Sequence, residues 1–216
     1  MSKQTDKVNK LLEAWDTPDS PGYVVGVIQD GELAYVRAHG MADMAAKTPL
    51  TAKSAFNVQS IGKQFTAACI ALLVQEDVID LDDNIRKYLP EFPDYGTPIS
   101  VRHLVHHTSG LRDYIHLVVL AGKDFRDDFS HTDALQIIMR QKSLNLAPGA
   151  RHVYGNSGYV LLAEIIERGG TVEHLEDELH LCARVFQRVW ANFRWEKNKG
   201  EWYPSKSLMF LMTRFA

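Results

Sequence analysis

Apolar positions along the chain recur in two periods. Over residues 6–16, Val8, Leu11, Leu12 and Trp15 fall at helical spacing, which predicts an amphipathic helix ended by Asp16, Pro18 and Pro21. Two β-rich runs follow, GYVVGVIQ and ELAYVRAHG, joined by Asp30-Gly31. An Asp-Gly pair between such runs is the strongest short-range hairpin signal, and it predicts a hairpin over residues 22–40. From Ser60 to about Gln75 the chain is apolar and alanine-rich (Phe65, Ala68, Ile70, Ala71, Leu72, Leu73, Val74), the pattern of a buried helix. LDDNIRKYL, residues 81–89, predicts a shorter helix stopped by Pro90 and Pro93. VRHLVHH, after Pro98 and Ser100, predicts another, closed by Thr108-Ser109-Gly110. A helix over 131–142 capped by Ser130 or Thr132, a turn at residues 144–149 and a helix over 157–168 complete this pattern.

Gly169-Gly170 marks a change of character. Trp190, Trp195 and Trp202, three of the four tryptophans, lie beyond it. A helix over about 172–190 is expected. The last stretch, NFRWEKNKGEWYPSKSLMFLMTRFA, has weak periodicity and no clear strand pair. The chain therefore divides into a main domain, residues 1–168, and a divergent tail, residues 169–216.

Composition narrows the function classes. Of the 216 residues, 45% are hydrophobic and 24% charged, and the net charge of −3 is spread with interspersed signs. That is the mix of a globular protein with a sizeable core, and it lacks the basic face of a nucleic-acid binder. No run reaches the roughly 18–20 apolar residues of a membrane helix. The N-terminal MSKQTDKVNKLLEAW lacks the apolar core of a secretory signal, so a cytoplasmic location is expected, or a periplasmic one if an export signal has been lost. Cys69 and Cys182 form no C-x-x-C and read as reduced thiols.

One stretch raises a chemical question. FNVQSIGKQFTA, residues 56–67, sets Ser60 three residues ahead of Lys63 where a helix begins. On a helix the two side chains share a face. A neutral lysine can take the serine's proton, and a helix start favours a developing oxyanion. The competing reading is a serine that caps the helix and a lysine in solvent. A second candidate is Tyr154-Gly155-Asn156. A tyrosine beside a lysine ammonium loses its proton more readily and can serve as base and then as acid, and an asparagine can hold both lysine and substrate. Its competing reading is a turn, since Gly155, Asn156, Ser157 and Gly158 all favour one. His103, His106 and His107 do not have the H-E-x-x-H spacing. His103 and His107 would share a face on a short helix, but satisfied structural histidines are the better reading.

Taken in order, FNVQSIGKQFTA, LDDNIRKYLPEFP, ISVRHLVHHTSGLRDY and LNLAPGARHVYGNSGYVLLAEIIE resemble the serine β-lactamase and penicillin-binding-protein superfamily. The resemblance is nearest to the class C β-lactamases and the β-lactamase-like esterases, and it runs from about residue 6 to about residue 168. It implies an α+β fold: an N-terminal helix and the β-hairpin of an antiparallel sheet, with a mainly helical domain. It also implies that Ser60 is acylated, that Lys63 and Tyr154 share the proton transfers, and that Asn156 contacts lysine and substrate. Gln59, next to the serine, becomes a substrate contact, and Thr108-Ser109-Gly110 a structural loop. No metal and no organic cofactor is implied. The substrate would be a small ester, amide or β-lactam, handled by a serine hydrolase through an acyl-enzyme.

The resemblance fails at the family's third motif, a Lys-Thr-Gly, Lys-Ser-Gly or His-x-Gly strand beside the nucleophile. The nearest match is Lys206-Ser207-Leu208, with leucine in place of glycine and only about fifty residues after Tyr154. Leu181–Gln187, LCARVFQ, still resembles the family's next helix, but Arg188-Val189-Trp190-Ala191 stands where a Pro-Leu-Gly-Met turn is expected. The expectation is a C-terminally truncated chain whose later sheet strands are missing or replaced. A bare sheet edge would favour pairing with a second copy. The alternative function is a catalytically impaired remnant that binds acyl ligands or self-associates.

Overall fold

The computed structural model describes residues 3–54, 56, 59–123, 129–169, 195–198, 201–204 and 211–213. The chain forms two compact units, one of residues 1–58 with 204–216 and one of residues 59–203.

The first unit opens with helix α1 (Lys3–Leu12), extended by a 3-10 turn over Glu13–Trp15. Val8 and Leu12 are half-buried, whereas Leu11 and Trp15 are exposed. The predicted hairpin is present: β1 (Tyr23–Gln29) pairs antiparallel with β2 (Glu32–His39). Asp30 and Gly31 turn it with φ of 53° and 80°, the paired positive angles that a two-residue hairpin loop requires. A bulge between Val27 and Ile28 shifts the register. Polar groups join α1 to the sheet. Asn9 Oδ1 accepts from Tyr35 Oη at 2.7 Å and from Arg37 Nη1 at 2.9 Å. A small pair, β3 (Met41–Asp43) with β4 (Thr48–Pro49), follows. Neither was legible in the sequence, because strands this short carry almost no periodicity.

The tail differs from expectation. Its β7 (Leu211–Thr213) pairs parallel with β1, placing Gly26, Val27 and Ile28 opposite Leu211, Met212 and Thr213. The sheet order is β2-β1-β7, so β1 has a partner on each side and the sheet is mixed rather than purely antiparallel. The tail also holds a strand pair, β5 (Trp195–Asn198) with β6 (Glu201–Pro204), where no pair was expected. Strands of three or four residues are too short to show an alternation. The expected helix over 172–190, the LCARVFQ segment, Cys182, Trp190 and Lys206-Ser207-Leu208 lie outside the described residues.

The second unit is built on helix α6 (Ser157–Gly169), in which residues 157–163, Ile165 and Ile166 are all buried. Helices α2 (Gly62–Gln75), α3 (Val101–Val105) and α5 (His131–Met139) all pack against it. Helix α4 (Tyr114–Leu120) packs on α5. One hydrophobic core runs through Ile70, Leu73, Ile85, Leu104, Tyr114, Ile138, Leu161 and Ile165. On α2 the buried positions are Gly62, Lys63, Thr66, Cys69, Ile70 and Leu73, a single stripe with a lysine at its head. Phe65, Ala68 and Ala71, read from the sequence as part of a buried helix, lie on the exposed side.

Two other expectations change. Residues 81–89 form only one 3-10 turn, Ile85–Lys87, because Asn84 Oδ1 accepts from Arg86 N–H at 3.0 Å and closes a local turn. Helix α4 was not anticipated, although Asp113 stands directly before the apolar run YIHLVVL and caps it. Of the two caps expected, Ser130 or Thr132, it is Ser130 that caps α5, reinforced by Asp133 in a reciprocal capping box. Among the described residues no helix is long and apolar enough to cross a membrane.

Candidate active site

Ser60 sits in a 3-10 turn, Gln59–Ile61, that leads into α2. It does not cap that helix: the cap position is Ile61, whose side chain makes no cap bond. The reading of Ser60 as a helix cap therefore fails. Its hydroxyl faces two partners instead. Lys63 Nζ donates to Ser60 Oγ at 3.0 Å, and Tyr154 Oη donates to the same oxygen at 2.7 Å. Gln59, in the same turn, is exposed and takes a positive φ of 43°.

Lys63 is not a solvated lysine, since only 8% of it is exposed. A buried ammonium needs oxygen partners. It finds Ser60 Oγ and, 2.8 Å away, Oδ1 of Asn156. The ring of Tyr154 lies 4.9 Å from the ammonium and that of Tyr159 5.7 Å, both within cation–π range.

Tyr154 is half-exposed. Burial pushes its phenol up, but hydrogen bonds with Lys63 and Ser60 and the charge of Lys63 outweigh burial, and the net shift is downward. The ammonium thus favours a phenolate 2.7 Å from the serine hydroxyl.

The loop around His107 sets the position of Tyr154. His107 lies beyond the end of α3 with a φ of 55°. Its Nδ1 accepts from Gly155 N–H at 3.3 Å, and its ring lies 4.7 Å from that of Tyr154 and 5.0 Å from that of Tyr159. Burial pushes the imidazole down, and the charges of His152 and Lys63 push the same way, which keeps Nδ1 free to accept. Backbone bonds align this loop with the segment that carries the tyrosine. Gly149 N–H donates to Thr108 O at 2.8 Å, Asn145 N–H to Gly110 O at 2.8 Å and Val153 N–H to His107 O at 2.8 Å. His103 points elsewhere: its Nδ1 accepts from Ser100 N–H at 3.2 Å. Since α3 ends at Val105, His103 and His107 do not share a helix face as the sequence pattern predicted.

Asp113 and Ser157 complete the surroundings. Asp113 Oδ2 accepts from both Asn156 N–H, at 3.1 Å, and Asn156 Nδ2, at 2.8 Å. Ser157 Oγ donates to Arg112 O at 2.7 Å and accepts from Tyr114 N–H at 2.9 Å. Neither was singled out from the sequence. The helix-start signal before α4 would have found Asp113, though not what lies opposite it.

The site thus gathers Ser60, Lys63, Tyr154 and Asn156 from positions up to 96 residues apart in number. A profile of the Beta-lactamase family matches residues 8–173. The chain belongs to the Beta-lactamase family. Its relatives in that family include a D-aminopeptidase of Brucella anthropi, 38% identical over 147 residues, which are 68% of this chain and 28% of that one. Penicillin-binding protein 4* of Bacillus subtilis is 34% identical over 149 residues, 68% of this chain and 32% of that one. Among solved structures, the D-amino acid amidase of Ochrobactrum anthropi SV3 superposes with a TM-score of 0.65 at 27% identity, covering 83% of this chain and 49% of that one. The chain thus spans about a third of the length of these curated relatives. The expected β-lactamase/transpeptidase-like α+β fold is borne out by this likeness.

Proposed function

We propose that the protein is a serine hydrolase that cleaves carboxylic esters or amides through an acyl-enzyme on Ser60. The observation that carries this reading is the double contact of Ser60 Oγ, with Lys63 Nζ at 3.0 Å and Tyr154 Oη at 2.7 Å. In the reactive state Tyr154 is a phenolate beside the Lys63 ammonium and takes the serine's proton. Ser60 Oγ bonds to the substrate carbonyl carbon, and the tetrahedral intermediate collapses with loss of an amine or alcohol. Tyr154 returns the proton to that leaving group. Water then attacks the ester on Ser60, with proton transfer through the same tyrosine and lysine, and releases the acid. Asn156 holds Lys63 through Oδ1, and its amide group faces the acyl side chain of a substrate. Gln59, in the serine turn, contacts the substrate.

The relatives favour amides of D-amino acids as the substrate class, with the D-aminopeptidase and the D-amino acid amidase as the grounds. The likeness to a penicillin-binding protein makes β-lactams a second class that could acylate Ser60.

Intact mass after incubation with a fluorophosphonate tests the reading, with Ser60→Ala in parallel. One adduct on the unaltered protein and none on the variant supports an activated serine. A D-phenylalanine amide panel against its L counterpart then reads the stereochemical preference. No adduct on folded protein would favour the second reading, a protein that binds acyl ligands or self-associates without turnover. That reading draws on Lys206-Ser207-Leu208, the nearest match to the family's third motif, which has leucine in place of glycine.

A further inference from the structure

The geometry points to Asp113 as a positioning residue that fixes the side-chain amide of Asn156, and through it Lys63. The inference rests on the acyl-enzyme reading of Ser60. An asparagine amide has two ends of similar shape and opposite polarity, and its surroundings decide which end faces where. Here one end of Asn156 meets an ammonium and the other a carboxylate. Lys63 Nζ lies 2.8 Å from Oδ1, and Asp113 Oδ2 lies 2.8 Å from Nδ2. A carboxylate accepts and an ammonium donates, so only one orientation of the amide satisfies both.

Asp113 is itself held from three directions. Its Oδ2 also accepts the Asn156 backbone N–H at 3.1 Å, and its Oδ1 accepts Ile115 N–H at 3.0 Å as the cap of α4. On either side of it, Arg112 O and Tyr114 N–H bond to Ser157 Oγ. Residues 112–114 and 156–157 therefore form one hydrogen-bonded clamp, with the carboxylate at its centre. The clamp presents Oδ1 of Asn156 to Lys63 and leaves the second hydrogen of the Nδ2 group for a substrate. Without the carboxylate the amide is free to reverse. It would then turn an NH2 toward the ammonium, and Lys63 would lose the partner that keeps it against Ser60.

Two variants separate this role from helix capping. Asp113→Ser keeps a side-chain oxygen for Ile115 N–H, because serine caps helices as well as aspartate does, but it is too short to reach Asn156. Fluorophosphonate labelling of Ser60 is timed for the unaltered chain, Asp113→Ser, Asn156→Ala and the double variant. The expected results are a loss of about 10- to 100-fold for Asp113→Ser and a double variant no slower than Asn156→Ala alone, the non-additivity of residues that act as a unit. Labelling of Asp113→Ser within twofold of the unaltered rate, or losses that multiply in the double variant, would overturn the inference.

A second readout does not depend on reactivity. In protein labelled with 15N-asparagine, the Asn156 side-chain resonances are identified by their loss in Asn156→Asp. They should differ from those of solvated amides in the unaltered chain and move to solvated values in Asp113→Ser. If they are unchanged in Asp113→Ser, the positioning role is wrong whether or not Ser60 reacts. If the unaltered chain forms no adduct while these resonances move as expected, the acyl-enzyme reading fails and the clamp stands.

Discussion

The hydroxyl of Tyr154 lies 2.7 Å from Oγ of Ser60 across 94 residues of sequence. Lys63 Nζ donates to the same oxygen at 3.0 Å. If the phenol is the base, Tyr154→Phe removes the proton acceptor and little volume. The rate of Ser60 acylation should fall by roughly 10²- to 10⁴-fold, the usual worth of a positioned general base. Labelling kinetics check it, and a loss below fivefold would assign the proton transfer to Lys63 alone.

The pH dependence follows from the direction of the Tyr154 shift. Burial raises its pKa, while the Lys63 and Ser60 hydrogen bonds and the Lys63 charge lower it by more. The phenolate is the active form, so labelling should rise with pH to a midpoint below the ordinary tyrosine value of about 10. Lys63→Met removes the hydrogen bond and charge that lower it. The midpoint should then move up, with a rate loss of the order of 10²-fold or more at neutral pH. A midpoint that stays put in the methionine variant would show that the titrating group is not Tyr154.

His107 predicts an acid limit to stability. Its folded-state pKa is held below the ordinary value of about 6.5, chiefly by burial. The unfolded chain therefore takes up the proton first, and stability falls as pH drops from about 6.5 through the lower folded value. Protonation also turns Nδ1 from acceptor to donor against Gly155 N–H. His107→Asn does not titrate, tolerates the left-handed backbone at this position and offers Oδ1 in place of Nδ1. Thermal melts from pH 4 to 8 should show a shallower acid fall in the asparagine variant. Parallel curves would remove His107 from the account.

Gly110 sets the loop that carries His107 against the segment that carries Tyr154. Its φ is 73°, and a Cβ there would fall on the carbonyl oxygen of Leu146. The neighbour is backbone and cannot turn aside, so Gly110→Ala combines a steric clash with an unfavourable φ. The expected cost is about 2–4 kcal/mol, or a melting temperature lower by roughly 5–15 °C for a chain of this size. Gly122→Ala is the control, because it has a similar φ of 72° and, among the described residues, nothing within 4 Å of its Cβ. Equal losses at the two glycines would mean that conformation alone, and not the approach to Leu146, explains the effect.

What could be read in advance depended on how local the signal was. The Asp30-Gly31 turn, the Ser130 cap and the helix over 157–168 rest on contacts within a few residues, and all three are present. The 81–89 helix was misread because Asn84 closes a local turn that hydrophobic spacing does not record. Helix α4 was missed although its cap, Asp113, was in plain view. Strands β3 to β7 hold two to four residues each, too few to show a period.

The sequence by itself determined the residue types and their local spacing. Ser60 and Lys63 had to lie within one turn of each other, and Tyr154 and Asn156 had to open a buried helix. The family resemblance added that these pieces belong together. Only the tertiary structure decided what each side chain faces. Packing of α2 against α6 buries Lys63 at the head of an apolar stripe, where it must find oxygen partners. Asn156 supplies one because Asp113, on a different segment, has taken the amide's other end. Burial and hydrogen-bond partnership are set by residues far apart in the chain, so no local pattern encodes them. They turn a serine that reads as a helix cap into one bonded to both a lysine and a tyrosine.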